Sequence, residues 1–226
     1  MITPEATVFL VDVDNTLLDN DRIQADLKRH LEREFGAACR DRYWAILEQL
    51  FGELGYRDYL GALQRYRAER PRDIHLLSMS SYLVDYPFAN RLYPQALDVL
   101  EHFRGWGPTV ILSDGDVVFQ PRKVERSGIF EAVDGNVLIY IHKEEELDDV
   151  EQRYPARHYI LVDDKPRILA AVKAIWRDRV TTILPLQGQY ANDTAVVASL
   201  PGADITVERV GDLLAYEFAD LVKSSS

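Results

Sequence analysis

The 226-residue sequence predicts an α/β protein that has a parallel sheet with helices on both faces and an all-helical insertion. The first observation is the apolar, β-branched run Thr7–Val11, which is typical of a strand buried on both faces. The second is the stretch of residues 19–91, which has helical periodicity and no strand alternation. The third is the alternation of short apolar runs with helical segments after Pro94, which indicates repeated strand–helix units.

The insertion is predicted to contain four helices: Arg22–Phe35, Arg40–Leu54, Tyr59–Glu69 and Ile74–Val84. Gly36 and Pro71 follow the first and third, as expected of residues that commonly end helices. Because a strand precedes these helices, we expect them to interrupt the α/β domain. The predicted division is a discontinuous α/β core, residues 1–18 and 92–226, and an all-α domain, residues 19–91.

The second half of the chain alternates between predicted strands and helices. The strands are Thr109–Leu112, Val137–Ile141, Tyr159–Val162, Val180–Leu184 and Asp204–Val207. The helices are Pro94–Phe103, Val117–Arg126, Glu144–Arg153, Pro166–Arg177 and a last one near Val210–Leu221. Pro94 and Pro166 stand at first helical positions, where proline is favoured because its missing N–H is not needed.

Composition excludes several classes of function. The formal net charge of −11 argues against a nucleic-acid partner, because a surface that binds nucleic acid needs a positive field. The N-terminus lacks the pattern of a signal peptide, and no apolar run reaches the roughly 20 residues that span a bilayer. We therefore expect a cytoplasmic protein without a membrane partner. Cys39 is the only cysteine, so no intramolecular disulfide can form.

Polar groups follow four predicted strands, and the carboxyl ends of parallel strands meet at one edge of an open sheet. The groups are Asp12 and Asp14, Ser113–Asp116, Lys143, and Asp163–Asp164. Carboxylates gathered this closely repel one another unless a cation is present. Mg²⁺ prefers such oxygen ligands and often takes few from the protein. The sequence therefore predicts a magnesium site at this edge.

Each of these groups alone has an ordinary interpretation. Asp12 and Asp14 could only end a strand, and Ser113–Asp116 could be a plain strand-to-helix turn. Asp163–Asp164 could cap the following helix, and Lys143 could pair in solvent with the glutamates after it. Their occurrence together at four strand ends favours a shared site.

These residues also carry a resemblance to a known family. The sequence Asp-Val-Asp-Asn-Thr-Leu at positions 12–17 resembles the DxDxT[LV] signature of the haloacid dehalogenase-like (HAD) hydrolase superfamily. Ser113, Lys143 and Asp163–Asp164 follow in the order that this family uses. The resemblance covers residues 1–18 and 92–185. It implies a Rossmann-like core and a helical cap that closes over the site and selects the leaving group.

The resemblance implies a catalytic role for several residues. Asp12 would attack phosphorus and form an aspartyl-phosphate, and Asp14 would act as the general acid and then as the general base. Ser113, the N–H groups of Asp114 and Gly115, and Lys143 would bind and neutralise the phosphoryl oxygens.

The resemblance also implies a ligand set for Mg²⁺. The Asp12 carboxylate, the Asp14 backbone carbonyl and the acidic pair would hold the ion. Asp164 would be the direct ligand of the pair, and Asp163 would act through water or from a second layer. Members that cleave carbon–halogen bonds do not use an acid–base aspartate at the Asp14 position, because halide needs no proton to leave. Asp14 therefore favours phosphate esters.

One departure concerns the lysine. Many members carry Lys-Pro at this motif, whereas Glu144 follows Lys143 here. Lys123 is the alternative, although its helix, Gln120–Arg126, better suits a packing or surface role.

The sequence thus predicts a phosphatase that acts on a small phosphorylated metabolite. Tyr56–Tyr59 and Arg65–Arg67 in the cap could bind a polar substrate, but packing and surface roles explain them better, so no cap residue is assigned. Phosphoryl transfer of the mutase type and a non-catalytic magnesium- or phosphate-binding module remain alternatives. A receiver-type signalling domain fits less well, because its acidic pair should come first in the chain. The sequence does not indicate an oligomeric state.

Overall fold

The structure is a computed structural model that describes residues 5–218, without the side chains of Glu5, Ala6, Thr194 and Val196. Within these residues six strands form one sheet: β1 (Glu5–Val11), β2 (Thr109–Asp114), β3 (Val137–Tyr140), β4 (Ala156–Val162), β5 (Val180–Pro185) and β6 (Ile205–Val207). Their order across the sheet is β3-β2-β1-β4-β5-β6, and all neighbours are parallel. Val11 at the end of β1 lies opposite both Ile111 and Val162. The residues that follow β1, β2 and β4 therefore emerge side by side.

Four helices lie between β1 and β2: α1 (Asn20–Phe35), α2 (Ala37–Leu54), α3 (Tyr59–Glu69) and α4 (Leu76–Val84). We call this segment the helical insert. The Asp19 carboxylate caps α1 by accepting from the Arg22 N–H at 2.8 Å. Gly55 ends α2 in the left-handed conformation with φ 79°, which glycine adopts without steric cost.

The remaining helices pack on the sheet: α5 (Ala96–Arg104), α6 (Phe119–Arg126), α7 (Ile129–Ala132), α8 (Leu147–Arg153), α9 (Pro166–Trp176), α10 (Gly188–Ala191) and α11 (Thr194–Ser199). Short 3₁₀ helices are found at Phe88–Arg91, Lys143–Glu145, Arg177–Arg179 and Val210–Ala215. The predicted fold class, a parallel sheet with helices on both faces and a helical insertion, is confirmed.

Three predicted helices differ from the structure as follows, and the ends of the others agree to within three residues. The predicted helix Glu144–Arg153 is a 3₁₀ turn followed by α8. The helix predicted to start at Pro94 starts at Ala96, because Gln95 has a φ of 65° that an α-helix cannot contain. The last predicted helix is the 3₁₀ helix Val210–Ala215, and its predicted end lies outside the described residues.

Two apolar clusters cover the two faces of the sheet. Alternate side chains of β1 point to opposite faces, so Phe9 and Val11 join one cluster while Val8 and Leu10 join the other. All four are 0% exposed, as expected for the continuous apolar run. The helical insert has a third cluster of its own. Within residues 5–218 no helix is both long and apolar enough to cross a membrane.

Candidate active site

The loop after β1 brings Asp12 and Asp14 to the carboxyl edge of the sheet. The Asp12 N–H donates to the Val162 carbonyl at 2.9 Å, which continues the pairing with β4. Asn15 then adopts a left-handed φ of 60°, and its side chain exchanges two 3.1 Å hydrogen bonds with Asp21. This tight turn leaves the Asp12 side chain 1% exposed and the Asp14 side chain 25% exposed.

Lys143 lies between two of the buried carboxylates. Its Nζ is 2.5 Å from Asp12 Oδ1 and 2.6 Å from Asp163 Oδ2, and it donates to the Leu112 carbonyl at 3.1 Å. Burial alone lowers the pKa of this fully buried amine, but the carboxylates of Asp12, Asp163 and Asp114 outweigh burial and raise the pKa well above its usual value. Lys143 is therefore a fixed positive charge at the position that the sequence predicted.

The acidic pair follows β4, and both side chains are 0% exposed. Burial raises the pKa of Asp163 to about 6, although Lys143 opposes the shift. Burial, followed by the charges of Asp163 and Asp12, raises the pKa of Asp164 well above its usual value. Asp163 Oδ1 accepts from the Lys165 N–H at 2.8 Å, whereas neither carboxylate oxygen of Asp164 has a hydrogen-bond partner among the described residues.

A divalent cation fits this arrangement. Asp12, Asp163 and Asp164 each offer one oxygen, and these oxygens all lie within 4.8 Å of one another. Two buried carboxylate oxygens without a partner are costly, and a metal ion would satisfy them. Because the oxygens of Asp163 are engaged by Lys143 and by the Lys165 N–H, Asp164 is the member of the pair that is available for direct ligation.

The predicted phosphate-binding segment after β2 is only partly available for that role. Ser113 Oγ lies 3.4 Å from Asp12 Oδ1 and accepts from Gln120 Nε2 at 2.9 Å. The Asp114 carboxylate holds the backbone N–H of Lys143 at 2.8 Å, which fixes the lysine turn. The structure corrects the prediction for Gly115, because its N–H donates to the Tyr140 carbonyl at 3.0 Å and so continues the strand pairing. Binding of a phosphoryl oxygen by the Asp114 N–H stays a prediction.

Lys123, the alternative lysine, is buried and pairs with Asp14. Its side chain is 1% exposed, and Nζ lies 2.5 Å from Asp14 Oδ1 and 3.1 Å from Asn20 Oδ1. The expected surface role is wrong, because the side chain is buried. Burial agrees with the expected packing role and adds an ion pair that the sequence did not predict. Lys143, which contacts Asp12, occupies the place expected of the family's lysine.

A cavity of about 320 Å³ separates this edge of the sheet from the helical insert. It is lined by Asp14, Asn15, Asn20, Gln24, Phe51, Gly55, Tyr56, Arg57, Tyr59, Asp114, Gly115, Gln120, Asp164, Lys165, Pro166, Arg167, Gln189 and Tyr190. Of the two cap segments considered from sequence, only Tyr56–Tyr59 contributes. Arg65 pairs with Glu53 on the surface of the insert, and Tyr66 is buried within it.

Sequence reasoning assigned no role to Thr16 or Gln120 and did not predict the partner of Lys123. Thr16 Oγ1 accepts from the Asp164 N–H at 3.0 Å, so it ties the first loop to the acidic pair. Gln120 holds Ser113, and Lys123 holds Asp14. A signal for Lys123 was present in the sequence, since it lies four residues after Phe119 and therefore shares the buried face of α6.

Comparison with known proteins agrees with the geometry. The family model of the haloacid dehalogenase-like hydrolases matches residues 6–175, and the chain belongs to this family of hydrolases. A haloacid dehalogenase-like hydrolase from Burkholderia xenovorans LB400 is 63% identical, with a TM-score of 0.91, over 95% of this chain and 100% of that chain. The comparison with curated proteins finds no match.

Two more distant structures share the fold alone. The HAD-hydrolase YfnB from Bacillus subtilis, bound to magnesium, is 14% identical with a TM-score of 0.63, over 97% of this chain and 99% of that chain. The L-2-haloacid dehalogenase from Xanthobacter autotrophicus, with chloropropionic acid covalently bound, is 16% identical with a TM-score of 0.60 over the same shares, 97% and 99%.

Proposed function

We propose that this hydrolase is a magnesium-dependent phosphatase that cleaves a small phosphate monoester through an aspartyl-phosphate on Asp12. The observation that carries the proposal is the second carboxylate, Asp14, which lines the cavity beside Asp164. An alkoxide leaving group needs a proton donor at that place, whereas a halide does not. The unpartnered Asp164 oxygens support the metal dependence.

The first step would be attack by Asp12 on phosphorus. Lys143 and Ser113 both engage Oδ1, while Oδ2 has only a 3.5 Å contact with Thr16, so we assign Oδ2 as the attacking atom. The bond from phosphorus to the ester oxygen breaks, and its electron pair goes to that oxygen. Asp14 donates a proton to the oxygen, which leaves as an alcohol.

The second step would release phosphate. The Asp14 carboxylate takes a proton from water as the water oxygen attacks phosphorus. The bond between phosphorus and Asp12 breaks, its electrons return to the carboxylate, and Asp14 is again protonated. When held by the Asp12 and Asp164 carboxylates and the Asp14 carbonyl, Mg²⁺ would supply positive charge against the phosphoryl oxygens.

The test is phosphate release from a broad panel of phosphate monoesters, with Mg²⁺ and with EDTA. Wild-type protein should release phosphate only with Mg²⁺, and Asp12→Asn should lose at least about 10³-fold in kcat. The matched control is Asp98→Asn, an exposed carboxylate on α5, which should retain activity.

The outcomes separate the alternatives. Acid-quenched wild-type protein should carry phosphate on the peptide that contains Asp12, detected by mass spectrometry. Absence of turnover on the whole panel, or retained turnover in Asp12→Asn, rejects the phosphatase. Isomerised phosphate ester with little free phosphate identifies a mutase instead.

A further inference from the structure

Lys123 is a buried cation that the proposed reaction steps do not use. Its ammonium contacts Asp14 Oδ1 at 2.5 Å and Asn20 Oδ1 at 3.1 Å, and it lies 5.2 Å from the centre of the Phe119 ring. The side chain is 1% exposed. Among the described residues, it is the only side chain that hydrogen-bonds to the Asp14 carboxylate.

The neighbours of Lys123 come from three parts of the chain. Asp14 belongs to the loop after β1, Asn20 is the first residue of α1, and Phe119 is one turn earlier on α6. The Phe119 ring contacts Tyr59 of the insert at 4.6 Å between centroids. Lys123 therefore lies where the sheet edge, α1 and the insert pack together.

Stability alone does not explain a buried ion pair at this position. A buried ion pair loses much of its attraction to desolvation, and apolar residues of similar volume often replace such pairs without loss of stability. The Asp14 side chain is also 25% exposed, so water screens the pair on one side. Methionine would fill the same space, but it would leave Asp14 without a partner that fixes its rotamer.

We infer that Lys123 is a positioning residue that holds Asp14 Oδ1 so that Oδ2 meets the oxygen of the leaving group. This inference rests on the proposed role of Asp14 as the proton donor. A carboxyl group that donates a proton to the oxygen of the leaving group has to be held in one geometry, because misplacement by about 1 Å can cost 10²-fold in rate.

The test compares two esters with different need for a proton donor. 4-Nitrophenyl phosphate has a weakly basic leaving group, whereas an alkyl phosphate from the same panel has a strongly basic one. Lys123→Met should lower kcat at least about 10-fold more on the alkyl ester than on the aryl ester, with little change in KM. Asp14→Asn should show the same selective loss, and adding Lys123→Met to Asp14→Asn should cause no further selective loss.

The matched control is Lys173→Met on α9. Lys173 pairs with Asp204 at 2.8 Å and does not line the cavity, so its loss should leave the ratio of the two rates unchanged. Equal losses of both rates in Lys123→Met would mean a merely structural role and would overturn the inference. If Lys123→Met does not fold, Lys123→Arg is measured in its place, because its larger head must displace Asp14 and should give the same selective loss.

A crystal structure of the folded Lys123 variant makes the inference independent of the substrate. The Asp14 carboxylate should occupy a different rotamer or several. An unchanged Asp14 rotamer rejects the inference whatever the activity. Absence of turnover in wild-type protein instead rejects the proposed phosphatase function, and the rotamer still decides the role of Lys123.

Discussion

The sheet edge and the helical insert differ in how deeply most of their ion pairs are buried. At the sheet edge Lys123 and Lys143 are 1% and 0% exposed and face carboxylates in the interior. In the insert Arg42 and Glu69 form an ion pair in which the side chains are 44% and 42% exposed.

This difference separates stability from chemistry. The insert is held together by its apolar cluster, and pairs such as Arg42–Glu69 lie in water, where they contribute little. Asp26, which is 10% exposed and pairs with Arg91, is an exception. Burial of charged groups at the sheet edge has a desolvation cost, and well-packed apolar residues in their place would not have that cost. The buried charges are therefore the ones expected to act on a ligand.

The largest effect is expected at Lys143. Lys143→Met removes the cation that faces Asp12 and Asp163 and leaves two buried carboxylates without it. The free energy of unfolding should fall by about 3–5 kcal/mol, as for other buried pairs that lose one partner. Urea denaturation measures the change, and phosphate release should be lost as well.

The matched control for Lys143 is Lys28→Met in the insert. Lys28 lies over the Trp44 ring at 4.1 Å on the exposed side of α1, and its replacement should be far less damaging. Similar losses in the two variants would show that burial of charge does not distinguish the two regions.

An intermediate effect on stability is expected at Asp164, where substitution should stabilise the protein and not destabilise it. Its pKa is raised by burial and by the charges of Asp163 and Asp12, so the folded state holds a proton over a pH range in which the unfolded state has released it. Without metal, the free energy of unfolding therefore falls as the pH rises above the ordinary aspartate pKa. The fall is complete once the pH exceeds the raised pKa of Asp164 in the folded protein. Asp164→Asn removes this loss of stability and should raise the melting temperature in EDTA, by roughly 2–4 °C for each kcal/mol gained in the free energy of unfolding.

Calorimetry from pH 5 to pH 8 checks this prediction. The advantage of Asp164→Asn over wild type should shrink as the pH falls, and Mg²⁺ should stabilise wild type but not the variant. A melting temperature that Mg²⁺ raises equally in both proteins would remove Asp164 from the metal site.

The smallest effect is expected at Arg42. Arg42→Ala breaks the exposed pair with Glu69, and the midpoint of urea denaturation should not change measurably. A clear destabilisation that disappears at high salt would mean that the insert also depends on its charges.

The sequence predicted the fold where local pattern determines structure. Tyr59–Glu69 matches α3 at both ends, because Asp58 provides an N-cap and apolar periodicity continues between the ends. The four-residue helix α7 was not predicted, because so short a helix shows no periodicity.

The site was predictable to the extent that strand ends determine it. Lys143 follows β3 and reaches Asp12 and Asp163 across the end of β2, because the sheet order is β3-β2-β1-β4. The pairing of Lys123 with Asp14 depends on the rotation of α6 and on its distance from the first loop. No local pattern fixes either quantity, so only the fold shows this pairing.

The position of Phe119 affects the order in which the chain can fold during synthesis. It belongs to α6 of the α/β core, yet it packs in the apolar cluster of the insert against Tyr59 and Phe88. As the chain leaves the ribosome, the four insert helices emerge before this ring does. The apolar cluster of the insert is therefore complete only after β2 and α6 have been synthesised. A fragment of residues 19–91, which lacks Phe119, should unfold gradually rather than in one cooperative transition.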